Sequence, residues 1–401
     1  MKYYLGIDIG KQHHQAILCN EEAKPLAPSL KFSTTAGGFA ELFTYLKKHI
    51  PDGDITTVHA GLEATGPYWL TAYEQCIKQK IKISVLNPLQ VKAYRNEGIR
   101  GTKNDRIDAF LIVKVLRFGD YKESDIPSAD LFALRQLTRL RADMVVMGTK
   151  VKLKIISIFD QVFPEYQELF SDTFGTSSQA VLAEAVVPET IAVIPTKKLT
   201  ALLKKASRGR LGEKEATKIK QAAETSIGIT IGLDAFNLSL EILLAEVTHL
   251  EKQIRRLDIE IAQRVTPRKE TLTSIPGIGK IQEASILAEI GNFDRIKDDK
   301  NGAEKLVAIA GIDPKIKQSG KYQGKAKMSK RGSPYLRKTI RQAAFVAAVG
   351  KNKDPMFSKL YEKKRGEGKA FEVALSHVEN KMLHVIYSLM KSKKKYVPKI
   401  E

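Results

Sequence analysis

The chain has 401 residues, 43% of them apolar, and a formal charge of +21 at pH 7. That length and apolar content support two or three domains with cores of their own and exclude a disordered chain. With only Cys19 and Cys76 and no C-x-x-C pair, neither a disulfide framework nor a cysteine zinc site is expected. No apolar run approaches the ~20 residues of a membrane span, and Met1-Lys2-Tyr3-Tyr4 leads straight into a strand pattern, so a cytoplasmic protein without membrane association is expected.

Strands are predicted at Tyr3 to Ile9, Gln15 to Asn20 and Leu30 to Thr34, followed by a helix at Gly38 to His49. A strand at Ile55 to Leu62, a helix at Pro67 to Gln79, a strand at Ile81 to Leu86 and helices at Pro88 to Glu97 and Asp105 to Phe118 complete this region. Its βββαβαβ order implies a mixed sheet with helices on its faces. A long helix follows from about Leu131 to Phe163, and a second from Phe236 to Val265. In the second, Leu240, Leu243, Val247, Leu250, Ile254, Leu257 and Ile261 alternate three and four apart as a coiled-coil seam. An antiparallel hairpin within the chain and a dimer arm both satisfy that seam. Between the two helices, residues 170–230 hold Ala/Lys-rich helical stretches and loops such as Arg208-Gly209-Arg210-Leu211-Gly212, with no recognisable chemistry. Pro267 ends the arm. The last domain runs from about Arg268 to Met390 and opens on Ser274-Ile275-Pro276-Gly277-Ile278-Gly279, ahead of a helix at Lys280 to Glu289. Such a turn offers backbone N–H groups and a helix N-terminus to an anion, which makes Gly277, Gly279 and Lys280 candidate nucleic-acid contacts; a tight helix–helix turn is the plain alternative.

Four acids carry the chemistry. Asp8 ends Leu5-Gly6-Ile7-Asp8, Glu63 lies in Gly61-Leu62-Glu63-Ala64-Thr65-Gly66, and Asp105 and Asp108 lie three apart at the start of an apolar-periodic helix, on one helical face. Each alone has a structural use as a turn, buried or helix-start acid. Crowded together, four carboxylates repel one another unless divalent cations neutralise them, so the set implies Mg²⁺ and phosphodiester chemistry of the kind a ribonuclease-H-like nuclease performs. At the other end of the chain, Asp313 to Glu401 holds 23 Lys and Arg against 7 Asp and Glu, a net +16 over 89 residues that suits a polyanion. Seven of those cations lie between Lys315 and Arg331 with no acid among them. Lys317, Lys321, Lys325, Lys327, Lys330 and Arg331 are candidate phosphate contacts. Ser319 and Ser329 sit beside glycine or lysine in this stretch. Either could donate a hydrogen bond to phosphate or act as a nucleophile, and spacing does not choose between them.

Together these pieces resemble the DEDD transposases of bacterial insertion sequences, which include the Piv-type DNA invertases and the bridge-RNA-guided recombinases. The resemblance rests on Gly6-Ile7-Asp8, Glu63-Ala64-Thr65-Gly66, Asn87-Pro88, Lys103 to Ala109, Ser274 to Gly279, Gly311-Ile312-Asp313-Pro314, Gln318-Ser319-Gly320, and Met328 to Gly332 followed by Leu336-Arg337. It implies an α/β plus all-α fold: a RuvC-like, ribonuclease-H-type domain over 1–120, a coiled-coil region with a helical insert over 121–266, and a helical C-terminal transposase domain with a helix-hairpin-helix-like element over 267–401. It further implies that Asp8, Glu63, Asp105 and Asp108 bind Mg²⁺ and that Ser319, the serine before glycine after the Gly-hydrophobic-x-Pro segment, is the nucleophile. Its expected partners are double-stranded donor and target DNA, a noncoding bridge RNA, and further copies of the chain, as a dimer or, in the synaptic complex, a tetramer. Residues 165–235 exceed what shorter family members carry. A metal-dependent, structure-selective nuclease without a covalent intermediate and a non-catalytic nucleic-acid scaffold remain the competing readings.

Overall fold

The computed structural model describes residues 2–64, 66–88, 91, 94, 105–119, 121, 128–265, 272–315, 318–319, 322–323, 327–351 and 353–398, with the backbone alone at 318–319 and 322–323. The chain divides into two compact units, Met1–Ile126 and Pro127–Glu401.

The first unit is a five-stranded mixed sheet. β1 (Tyr3–Asp8), β2 (His13–Cys19) and β3 (Leu30–Ser33) form an antiparallel meander, and β4 (Val58–Glu63) and β5 (Lys82–Leu86) add in parallel on the other side of β1, giving the order β3-β2-β1-β4-β5. This is the ribonuclease-H-type order implied above. α1 (Ala36–His49) starts at Thr35, whose hydroxyl accepts from the Gly38 N–H, and α2 (Trp69–Lys78) links β4 to β5. The region expected as strand from Ile55 opens instead as a turn of 3-10 helix, Ile55–Thr57. The Asp54 carboxylate caps it by accepting from the Thr56 N–H, so extended structure begins only at Val58. The helix expected at Pro88 to Glu97 falls largely outside the described residues.

Strand alternation divides the sheet's two faces. Tyr3, Leu5 and Ile7 of β1 join Leu42 and Leu46 of α1 and Ala72 and Cys76 of α2 in the main core. Tyr4, Gly6 and Asp8 face the opposite way, towards α3 (Asp105–Phe118). There Gly6 of β1 pairs in register with Gly61 of β4, and the missing side chains leave a shallow trough in which α3 lies. A Cβ on Gly6 would be driven into the Ala109 carbonyl oxygen of α3. One on Gly61 would meet only the flexible end of Leu116, at 2.6 Å, and the Ile112 methyl, at 3.0 Å.

In the second unit, α4 (Ala129–Val162) and α9 (Leu233–Arg264) run antiparallel along each other. Ser128 caps α4 by accepting from the Leu131 N–H, and the ion pairs Arg141–Asp258 and Lys152–Glu251 stitch the two helices in antiparallel register. Of the two arrangements open to the heptad seam, the chain adopts the intrachain hairpin. The hairpin's far end carries the insert, in which α5 (Thr176–Leu182), α6 (Pro188–Ala192), α7 (Thr196–Ser207) and α8 (Glu213–Glu224) share a core with Phe159, Tyr166 and Leu240.

The remaining helices are α10 (Lys280–Ile290), α11 (Asp294–Lys297), α12 (Gly302–Ala310), α13 (Pro334–Val349), α14 (Pro355–Gly366) and α15 (Phe371–Ser392), packed around an apolar core. A buried ion pair joins α4 to this bundle. Arg139 donates through Nε and a terminal nitrogen to both oxygens of Glu289, at 2.6 and 2.8 Å, and its guanidinium lies 5.0 Å from the Tyr335 ring centroid. The Glu289 side chain is 2% exposed and also accepts from the hydroxyl of Ser333, the residue that caps α13.

The trough sets a packing order that stability measurements can read. Gly6→Ala is expected to lower the unfolding free energy by at least the ~1–3 kcal/mol typical of overpacking, because backbone must move, whereas Gly61→Ala costs less because Leu116 can rotate away. Equal losses in the two variants under urea denaturation would show that α3 does not depend on the trough.

Candidate active site

Asp8 ends β1 and Glu63 ends β4. Because these strands are parallel with Ile7 opposite Leu62, the two acids are neighbours across one inter-strand gap, on the face that α3 covers. α3 brings Asp105 and Asp108 in its first turn, where the positive end of the helix favours negative charge. All four carboxylates line one cleft of about 300 Å³. Asp108 is 7% exposed, Asp8 and Glu63 are half-buried, and Asp105 is exposed. Lys31 of β3 and the histidine pair His13 and His14 complete the chemically active lining.

Among the described residues, no three His, Cys, Asp or Glu side chains converge on a single point as metal ligands do. The donor set nevertheless suits a divalent cation of the Mg²⁺ class: four hard carboxylate groups face a single cation, Lys31, across one cleft. An ion entering there would draw the carboxylates together.

His14 is a feature of this cleft that the sequence did not single out. It is 1% exposed, its Nδ1 accepts from the Gly10 N–H at 3.3 Å, and its ring packs edge-on against Phe32 with centroids 5.2 Å apart. Among the described residues, no hydrogen-bond partner meets its Nε2. Burial, reinforced by the charge of neighbouring His13, lowers its pKa to about 4. The ring is therefore neutral at physiological pH, holding the β1–β2 turn beside Asp8. The available signal was alternation, since His14 occupies an inward position of β2.

In the second unit, the Pro-Gly-hydrophobic-Gly turn is built for packing. Gly277 has φ +88°, and a Cβ there would collide with the Ala343 carbonyl of α13. Gly279 and Lys280 are exposed at the start of α10, and the Gln282 side-chain oxygen accepts from the Gly279 N–H at 3.2 Å. The stretch expected as one long loop contains two small antiparallel ladders: β6 (Pro314–Lys315) with β9 (Lys327–Met328), and between them β7 (Gln318–Ser319) with β8 (Tyr322–Gln323). Ser319 pairs with Tyr322 next to the connection of the inner ladder. Lys317, Lys321 and Lys325 lie outside the described residues. Lys327, Lys330 and Arg331 are exposed, and Lys330 adopts φ +54°.

A tight neck closes this segment. The Ser329 hydroxyl donates to Asp313 Oδ1 at 2.6 Å, the Ser329 N–H donates to the Asp313 carbonyl at 2.8 Å, and the Lys330 N–H to the Gly311 carbonyl at 3.0 Å. Gly311, at φ +68°, and Gly332 touch so closely that neither tolerates a Cβ. Ser329 is thus hydrogen-bonded to an acid at the base of the segment. This pairing was not legible over a separation of 16 residues.

Two family models match the chain. Residues 5–164 match the DEDD transposase model of IS110, and residues 269–362 match the transposase model of the IS116/IS110/IS902 family. The chain belongs to the IS110-type DEDD transposases. It is 24% identical to an insertion element IS116 uncharacterized 44.8 kDa protein of Streptomyces clavuligerus, over 99% of this chain and 96% of that one. It is 23% identical to the mini-circle putative transposase for IS117 of Streptomyces coelicolor, over 98% and 95%. It is also 24% identical to the pilin gene-inverting protein of Moraxella bovis, over 100% of this chain and 99% of that protein. Among solved structures, T. thermophilus RuvC in complex with Holliday junction substrate matches 31% of this IS110-type chain and 100% of its own length, at 11% identity and a TM-score of 0.23. No described helix is long and apolar enough to cross a membrane.

The depressed His14 pKa has a testable sign. The unfolded chain, with a histidine near 6.5, binds a proton that the folded chain refuses until about pH 4, so His14 opposes folding increasingly as pH falls through that window. The loss is up to about 3 kcal/mol at the acid end. His14→Gln is expected to flatten the stability profile between pH 6.5 and 4 in urea titrations, and an unchanged slope would mean that His14 is not the group responsible.

Proposed function

We propose that this IS110-type transposase is a site-specific DNA recombinase that uses the acid cleft and Ser319 to break and rejoin strands. The observation that carries the reading is the meeting of Asp8, Glu63, Asp105 and Asp108, from two strand ends and one helix start, in one cleft. Mg²⁺ held by these four carboxylates would polarise the scissile phosphate and favour the ionised form of an attacking hydroxyl. In the first step Ser319 Oγ bonds to phosphorus, the bond from phosphorus to one deoxyribose oxygen breaks, and that oxygen leaves with the proton that the serine gives up. In the second, a deoxyribose hydroxyl of the new partner strand attacks the phosphoserine, and Ser319 regains its proton. No net hydrolysis occurs, which suits strand exchange. The choice of Ser319 rests on its match to the family pattern. The hydrogen bond from Ser329 to Asp313 gives that second serine a role in closing the neck.

The lysine-rich C-terminal quarter grips the DNA backbone through charge. In this reading the chain assembles into a dimer or tetramer and is targeted by a noncoding bridge RNA, an expectation taken from the family resemblance, with sequence specificity residing in base pairing to the RNA. The gene-inverting relatives and the insertion-element relatives fit one strand-exchange chemistry that can either invert or move a segment.

Covalent trapping tests the mechanism. Purified protein with labelled cognate DNA is expected to yield an adduct stable in detergent, abolished by Ser319→Ala and by chelation of divalent metal. Asp8→Asn should lower strand cleavage by at least ~10²-fold while leaving the salt-dependent binding intact. An adduct that survives Ser319→Ala but not Ser329→Ala would move the nucleophile to Ser329. Metal-dependent cleavage with no adduct in any form would replace the recombinase with a hydrolytic nuclease.

A further inference from the structure

The insert at the end of the α4–α9 hairpin carries its charge unevenly: residues 197–220 hold nine Lys and Arg against two Glu. In the structure these residues form the antiparallel pair α7 and α8. The pair turns Leu199 and Leu203 of α7 and Ala216, Ile219 and Ala223 of α8 inward, leaving Lys204, Lys205, Arg208, Arg210, Lys214 and Lys218 exposed. Lys198 pairs with Glu184 and the Lys220 ammonium reaches the Ile194 carbonyl, whereas none of those six cations forms an ion pair among the described residues.

The connection between the helices is held in one shape. Arg208 caps α7 in the left-handed region at φ 56°, and the Ser207 hydroxyl accepts from the Leu211 N–H at 2.8 Å. The two arginines of this turn line a cavity of about 660 Å³ together with the hydroxyl residues Ser171, Thr176 and Ser177. Asp172 also lines it, with its Oδ1 already accepting from the Phe174 N–H. Guanidinium forks facing hydroxyl donors recognise phosphate oxygens.

We propose that this basic helical pair and its arginine-lined cavity form a second nucleic-acid site, separate from the C-terminal lysine segment, which takes the phosphate backbone of a duplex without reading its bases. The six cations cluster where α7 ends and α8 begins, with Lys204 and Lys205 in the last turn of α7, Arg208 and Arg210 in the connection and Lys214 and Lys218 in the first turns of α8, a compact patch suited to neighbouring backbone phosphates. Among the described residues 176–224, Val193 is the only large apolar side chain left exposed, so the helical pair offers no broad hydrophobic anchor for a protein partner, while the cavity beside it also takes lining from Leu169, Phe170 and Leu211.

The test uses the full-length chain, with a 30-base-pair DNA duplex and an RNA stem-loop as separate fluorescence-anisotropy probes titrated with salt. The variant Lys204→Gln/Lys205→Gln/Arg208→Gln/Arg210→Gln is compared with an equal charge removal on the hairpin, Lys150→Gln/Lys154→Gln/Lys252→Gln/Arg256→Gln. The insert variant is expected to lose roughly tenfold or more in affinity for at least one probe, with a log–log salt slope flatter by about 3, while the control loses under threefold. Loss on the RNA probe alone assigns the site to RNA, loss on the DNA probe alone to DNA, and loss on both to duplex backbone in general. Equal effects of the two variants, or no effect of either, would overturn the proposal. Arg208→Gln/Arg210→Gln provides the same comparison at the cavity should the quadruple variant melt earlier than wild type. Because binding is read in the absence of catalysis, failure of the serine mechanism would leave this result unaffected.

Discussion

The candidate active site depends on how closely one helix can approach one pair of strands. Asp8 and Glu63 are placed by the sheet, but Asp105 and Asp108 reach the same cleft only because α3 sinks into the trough left by Gly6 and Gly61. With a side chain at Gly6, the Ala109 backbone, four residues after Asp105, would have to lift away. The geometry of the acid cleft is thereby encoded at positions that bear no chemistry. The main cost of glycine in a strand, its conformational freedom before folding, is offset by the packing of Val113 and Ala109 that the absence of a Cβ permits.

A second constraint acts in the other unit. Arg139, Glu289, Ser333 and Tyr335 bring a carboxylate with almost no solvent contact into a cluster in which each of its oxygens receives a charge-assisted hydrogen bond. Charge burial of this kind is a weak source of net stability but a strong source of specificity, because any register of α4 that separated the pair would strand a carboxylate in a low dielectric. The long hairpin therefore meets the C-terminal helices at one register, and a coiled-coil seam that could slide by a heptad is fixed by a contact outside the seam. The N-terminus of α13 is fixed with it, since Ser333 both caps that helix and donates to Glu289.

Much of this was legible from local pattern. The βββαβαβ order of elements along the chain, the long helices and the position of each acid at a strand end or helix start follow from alternation and from motif residues such as Gly6-Ile7-Asp8, because these features depend on neighbours in sequence, whereas the pairing of the strands came only with the family resemblance. The choice of intrachain hairpin was not legible: Leu240, Val247 and Leu250 would bury equally well against a second chain, and the deciding ion pairs, Arg141–Asp258 and Lys152–Glu251, link residues about a hundred positions apart. The same limit hid the neck between Asp313 and Ser329, whereas the inward position of His14 could have been read from alternation along β2. The insert's cation surface was missed for a different reason. Its nine basic residues fall in one stretch of sequence, but which of them face solvent is set only by the packing of α7 and α8 and the shape of their connection.

The neck at Gly311 and Gly332 changes what the basic segment costs the domain. Its two ends are tied by ladder pairs, a serine–aspartate hydrogen bond and a glycine contact that rest on α12 and α13, so the entropy of closing the loop is met by contacts at its base and does not depend on what the tip touches. Beyond such a closure, doubling the intervening length adds only about 0.6 kcal/mol. The stretch between the ties is thus an exchangeable cassette. Related elements could alter its reach and its cations, and so the nucleic-acid geometry they accept, while the helical domain beneath keeps one fold.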